Sequence, residues 1–156
     1  MTKEPTTTPA VVCDITDAPD TGAERLAEYG RLFDAAFVGR ERTAVGGIRW
    51  VLRADPGIQA WAADLAAREN ACCAFMTNTV TTVGEHLHWD ASVIDDPSAQ
   101  AVLDLLFELP DRRWDSPEAV YREWDTLGVP IVIQDDATTR PATQAEALTG
   151  RRNPST

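Results

Sequence analysis

Directly after the pair Gly46-Gly47, Ile48, Trp50 and Leu52 alternate with Arg49, Val51 and Arg53. A period of two sends the large apolar side chains to one face of a strand and the arginines to the other. Such a strand belongs in an antiparallel sheet with one face covered and one face wet. Gly46-Gly47 can take the positive φ angles of a tight turn, so residues 40–45 and 48–53 read as a hairpin. Any fold for this chain must therefore supply an apolar cover for one side of a sheet.

Helical stripes supply it. Thr21-x-x-Glu24 fits a capping box, and Leu26, Tyr29, Phe33 and Phe37 follow at helical spacing. Asp55-Pro56 opens a second helix, with Pro suited to its first turn and Ile58, Trp61, Ala62 and Leu65 as its stripe. Residues 74–82, rich in Thr, Val and Phe, favour a strand, which Gly84-Glu85 turns into another from His86 to Ser92. Asp96-Pro97 caps a third helix whose Val102, Leu103, Leu106 and Leu109 face inward. With a short strand at Val11–Ile15 the order is β-α-ββ-α-ββ-α. This predicts an α+β fold, a two-layer α/β sandwich with a mostly antiparallel sheet and helices on one face.

The 156 residues suit one domain. Residues 1–9, rich in Thr and Pro, read as a flexible N-terminus, and 10–109 as the α/β core. Residues 110–134 read as an extension packed on that core, with a short helix from Asp115-x-x-Glu118 to about Thr126 and an edge strand over Gly128–Ile133. Pro130 would keep that strand from a sheet centre. Residues 135–156 are polar and read as a disordered tail. Trp50, Trp61 and Trp89 are expected in the core, and Trp114 and Trp124 are placed to pin the extension.

The formal charge of −11 argues against nucleic acid or an anionic membrane as partner, because phosphate binding needs clustered Lys and Arg. The first nine residues lack the apolar core of a signal peptide, and no apolar run approaches the ~20 residues that span a bilayer. A cytoplasmic location is expected. There, three cysteines point to free thiols or metal ligands, not to a disulfide framework.

Extending the second helix over residues 57–73 puts Glu69, Cys72 and Cys73 on the same ~120° arc as its apolar stripe. Glu69 thus stands where a Leu is expected, and its i+3 and i+4 neighbours are both cysteines, the offsets at which helical side chains meet. A carboxylate in an apolar stripe is costly unless it is paired, hydrogen-bonded or ligating. Beside two thiols it can accept a proton, offer an oxygen ligand or act as an acid. Cys13, on the first strand, is a candidate third sulfur, since central strands of such sandwiches lie beneath the helices. Three converging sulfurs suit Cu(I), Zn(II), Hg(II) or As(III). Adjacent cysteines diverge, so a structural zinc site of the CxxC kind is not expected. The plainer alternative is that the cysteines simply fill space in the core, as buried free Cys often does.

The segment Glu69-x-x-Cys72-Cys73-x-Phe75, following Arg40-Glu-Arg-Thr43 and Arg53-Ala-Asp-Pro-Gly57, resembles a family of small uncharacterised bacterial proteins. Its members carry an E-x-x-C-C-x-F segment and often an early cysteine near a strand, matched here by Cys13. The likeness covers about residues 11–109. Ala74 stands where the usual segment has Pro. A loose association of similar sequences with heavy-metal response implies soft metals as ligands.

His86, His88 and Asp90 fall in register on one strand face, opposite Leu87, Trp89 and Ala91. Residues at successive in-register positions are ~7 Å apart and seldom close on one metal, so a solvated face is the simpler reading. Gly46-Gly47 reads as a turn, not a phosphate loop, and Asp95-Asp96 as a helix cap.

Three functions fit. The first is a soft-metal or metalloid binding protein using Cys13, Cys72, Cys73 and Glu69. The second is a thiol-dependent enzyme with Cys72 or Cys73 as nucleophile and Glu69 as proton shuttle, for which organomercurial protonolysis has the right requirements. The third is a small-molecule binding or scaffold domain with structural cysteines.

Overall fold

The computed structural model describes residues 11–128 in full and residues 131–134 and 139–142 as backbone. The N-terminal segment 1–9 and most of the tail 135–156 lie outside the described residues. The fold is α+β, with four helices and an antiparallel four-stranded sheet among the described residues. In chain order the elements are β1 (Val12–Asp14), α1 (Gly22–Ala36), β2 (Phe37–Arg42), β3 (Ile48–Arg53), α2 (Ile58–Cys72), β4 (Met76–Val83), β5 (His86–Val93), α3 (Pro97–Arg112), α4 (Pro117–Leu127), β6 (Ile131–Gln134) and β7 (Thr139–Ala142).

The four-stranded sheet runs β2-β3-β5-β4. Register pairs Trp50 with Trp89 and Leu52 with Leu87, which places the alternating apolar residues of β3 and β5 on one face. Tyr29 and Phe33 of α1 pack on the two indoles, with ring centroids 5.0–5.8 Å apart. Leu32, Leu65 and Leu103, one from each of α1, α2 and α3, are fully buried in the same cluster. On the other face, Asp90 takes both ends of the Arg49 guanidinium, at 2.7 and 3.0 Å, while His86 is exposed.

Several local expectations are corrected. Phe37, read as the end of the α1 stripe, is the first residue of β2: the helix stops at Ala36, and an apolar residue suits both positions. The β2–β3 connection is a five-residue loop, Thr43–Gly47, in which the Thr43 hydroxyl accepts from the Gly47 amide. Gly46 has φ 89°, and a Cβ at Gly47 would stand 2.5 Å from the Ala91 carbonyl oxygen. Gly57, with φ 86°, is the N-cap of α2, so Pro56 lies before the helix and not in its first turn. Ser116, not Asp115, caps α4, while Asp96 caps α3 by accepting from the Ser98 and Ala99 amides.

The larger correction concerns β1. It does not enter the sheet beneath the helices but pairs in parallel with β6, which pairs antiparallel with β7. The strand expected at an edge, β6, is thus the middle of its own sheet. It begins after Pro130, so the missing amide of that proline does not interrupt its ladder. β7 falls within the segment read as tail. Helix α4 lies against α1 and α3, with Trp114 packed on the main core and Trp124 on a second cluster around the cysteines.

Candidate metal centre

Helix α2 ends at Cys72, and Cys73 is its C-cap, with φ −120° and ψ 83°. The Cys73 amide still closes the last turn onto the Glu69 carbonyl. Leaving the helix turns Cys73 towards β1, where it forms an isolated antiparallel bridge with Cys13. Cys13 therefore meets the pair by lying alongside the chain that leaves α2, not by lying under the helix. At Ala74 the chain turns, closed by the Met76 amide on the Cys73 carbonyl.

The Cys73 sulfur is in contact with those of Cys13 and Cys72. Cys73 Sγ lies 3.0 Å from Cys13 Sγ and 3.3 Å from Cys72 Sγ. Glu69 Oε1 stands 3.8 Å from Cys72 Sγ and 3.6 Å from Cys73 Sγ. The donor atoms of Glu69, Cys72 and Cys73 all lie within 4.8 Å of one another, so this group can hold a metal ion. Around a tetrahedral ion with metal–sulfur bonds of ~2.3 Å, sulfurs sit about 3.8 Å apart. To reach that spacing Cys13 and Cys73 would move apart by about 0.8 Å, and Cys72 and Cys73 by about 0.5 Å.

Glu69 is fixed from α1. The Tyr29 hydroxyl donates to Oε2 at 2.8 Å, which leaves Oε1 facing the thiols. Arg25, one turn earlier, sends Nη1 to within 3.4 Å of Cys72 Sγ and 3.7 Å of Glu69 Oε1. The rest of its guanidinium is clamped by Asp20, at 2.7 and 2.9 Å. Asp20 also accepts from Arg68, which reaches Glu28 as well, and Glu28 accepts from the Trp61 indole. Arg68, outside the stripe, thus ties α2 to α1. At the far side of the helix end, Asn70 Oδ1 accepts from the Asn78 amide, and Asn78 Oδ1 accepts from the Trp89 indole.

These contacts set the protonation. Cys72 is pushed well above the usual thiol range by the adjacent Cys73 sulfur, by burial and by the charge of Glu69, despite the opposing hydrogen bond from Arg25. Cys73 is raised by the Cys13 sulfur and by burial. Burial, then Glu69, raises Tyr29, so its hydroxyl stays a donor. Asp20 is lowered first by Arg25, and Glu28 first by Arg68, so both remain charged partners. Cys72 and Cys73 are therefore held as neutral thiols, and a metal ion binding there would have to displace their protons.

Cys13, Cys72, Cys73 and Glu69 border a cavity of ≈ 180 Å³. Arg25 and Tyr29 complete this polar end, while Leu105, Leu106 and Leu109 of α3 and Trp114 and Trp124 from the α4 region form apolar walls. Arg25 and Cys72 also border a second cavity of ≈ 170 Å³, lined by Asp14, Asp17, Arg68 and neighbours. His86, His88 and Asp90 line neither cavity.

The structure thus brings together the four residues singled out from the sequence and adds Arg25, Tyr29 and Asp20. The signal for Arg25 was available, because it precedes Tyr29 by four and Phe33 by eight, which places a guanidinium on a buried stripe. No family model matches the chain, and neither the curated proteins nor the solved structures compared show a significant likeness to it.

Proposed function

We propose that this chain binds a soft metal or metalloid ion through Cys13, Cys72 and Cys73, with Glu69 as oxygen ligand or proton acceptor. The observation that carries the reading is the Cys13 sulfur, delivered from 60 residues away to 3.0 Å from Cys73. Thiolates select Cu(I), Zn(II), Hg(II) and As(III), and three free thiols suit a reducing cytoplasm. Titrated with Hg(II) or Zn(II) under anaerobic conditions, the protein is expected to retain one ion per chain through desalting. The Cys72→Ser/Cys73→Ser variant is expected to lose it. Equal metal retention by that variant, or none by the native chain, contradicts the proposal.

One observation favours a second reading, a thiol-dependent enzyme. Tyr29 occupies Glu69 Oε2 and leaves Oε1 shared between two thiols, which is a route for a proton. In organomercurial protonolysis, R–Hg–S(Cys) plus a second thiol gives R–H and Hg(S–Cys)₂. The carbon–mercury and S–H bonds break, C–H and Hg–S bonds form, and Glu69 passes the proton to carbon without any change of oxidation state. Glu69→Gln is expected to bind metal and lose turnover. Full turnover in that variant removes the proton role.

A further inference from the structure

We infer that the ligand of this centre is a thiophilic atom carrying a small apolar organic group, R–M, with M mercury(II) or arsenic(III) and R aryl or short alkyl. The inference rests on the metal-binding reading and adds the chemistry of the cavity to it. A bare ion held by these thiols needs only the polar end, among donor atoms already within 4.8 Å of one another. The ≈ 180 Å³ of space extends beyond that end, between Leu26 of α1, Leu105, Leu106 and Leu109 of α3, and Trp114 and Trp124. Leu105 and Leu109 are buried, and the walls around them offer water few partners. A space of ~150 Å³ is enough for a benzene-sized guest. Sites for small organic ligands have this composition, apolar walls with a few converging polar groups at one end.

The two halves of the site demand different halves of one ligand. The sulfurs select the soft centre, and the leucine and tryptophan walls select R. Binding needs no oxidant. An R–Hg⁺ cation exchanges its labile ligand for one cysteine sulfur: an S–H bond breaks, an S–Hg bond forms and the proton leaves by Glu69 or solvent. For trivalent R–As(OH)₂, two As–O bonds are replaced by two As–S bonds, and the thiol protons depart with two waters. Cys13 and Cys73 are the pair for that chelate, since they face each other across a bridge while Cys72 and Cys73 are chain neighbours.

The experiment compares phenylmercury, methylmercury and Hg(II), and separately phenylarsenous acid and arsenite, each in competition with a small monothiol. Burial of the phenyl group in the cavity is expected to make phenylmercury bind at least tenfold tighter than methylmercury relative to their affinities for the competitor. Filling the cavity by Leu106→Trp, or by Leu105→Phe should the first variant fail to fold, is expected to abolish that preference and leave Hg(II) binding unchanged. Phenylarsenous acid binding while phenylmercury shows no preference assigns the site to arsenicals, and the reverse to mercurials; either supports the inference. Tight Hg(II) binding with no phenyl preference for either element, and no effect of the fillings, overturns it while leaving the metal-binding reading intact. Failure of Hg(II) and arsenite as well overturns both. Phenyl compounds held equally well by Cys72→Ser/Cys73→Ser overturn it too, because the soft centre would then play no part.

Discussion

Cys13 and Cys73 lie 60 residues apart in sequence yet face each other across an antiparallel bridge, with sulfurs 3.0 Å apart. Residues opposed in this way have Cβ atoms within the reach of a disulfide. Cys72 and Cys73, although their sulfurs are 3.3 Å apart, could join only through a strained ring spanning one peptide bond. Treating the metal-free protein with diamide is therefore expected to cross-link Cys13 to Cys73 and leave Cys72 as the alkylatable thiol. Peptide mapping by mass spectrometry reads the outcome, and a Cys72–Cys73 linkage, or none, would contradict the geometry. Glu69 belongs to the same scale. Its side chain is only 13% exposed, and it is tolerated there because Tyr29 and Arg25 supply partners.

At the scale of elements, the centre depends on where α2 stops. The reciprocal bonds between Asn70 and Asn78, with the Trp89 indole on Asn78, anchor the last turn of α2 to β4 and β5. Asn78 is buried, so removing its side chain leaves the Trp89 indole N–H without its acceptor, while the two bonds between the Asn70 side chain and the Asn78 backbone remain. Asn78→Ala is expected to lower the unfolding free energy by ~1–3 kcal/mol in a urea titration. A change below ~0.5 kcal/mol would show that the bond from the Trp89 indole to Asn78 is dispensable. Much of this level was legible in the sequence. The alternation of Ile48, Trp50 and Leu52 and the stripe of Ile58, Ala62 and Leu65 name the buried faces of β3 and α2. The place of β1 was not legible, because three residues carry no period and their partner, β6, lies more than a hundred residues on. The end of α1 was equally ambiguous, since Phe37 packs on Phe33 whether it continues a helix or begins a strand.

For the whole molecule, two clusters divide the work. The larger, around Trp50, Trp89, Leu65 and Leu103, joins the sheet to α1, α2 and α3 without any cysteine. The smaller holds Cys72 and Cys73 with Val11, Phe75, Ala99 and Val102, and Cys13 and Trp124 pack on it. The main core therefore packs without any contribution from the candidate metal ligands. No helix among the described residues is long and apolar enough to cross a membrane. What the sequence could not show was the cavity, because its walls come from α1, α3, α4 and the turn at Trp114, which only the tertiary fold brings around the thiols.

If three sulfurs from two distant segments act as one ligand set, X-ray absorption at the mercury edge will show it on native protein loaded with one equivalent of Hg(II). Two to three sulfur neighbours per mercury are expected, falling by one in Cys13→Ser and to at most one in Cys72→Ser/Cys73→Ser. A first shell of oxygen and nitrogen, or a sulfur count unaffected by these substitutions, would contradict it.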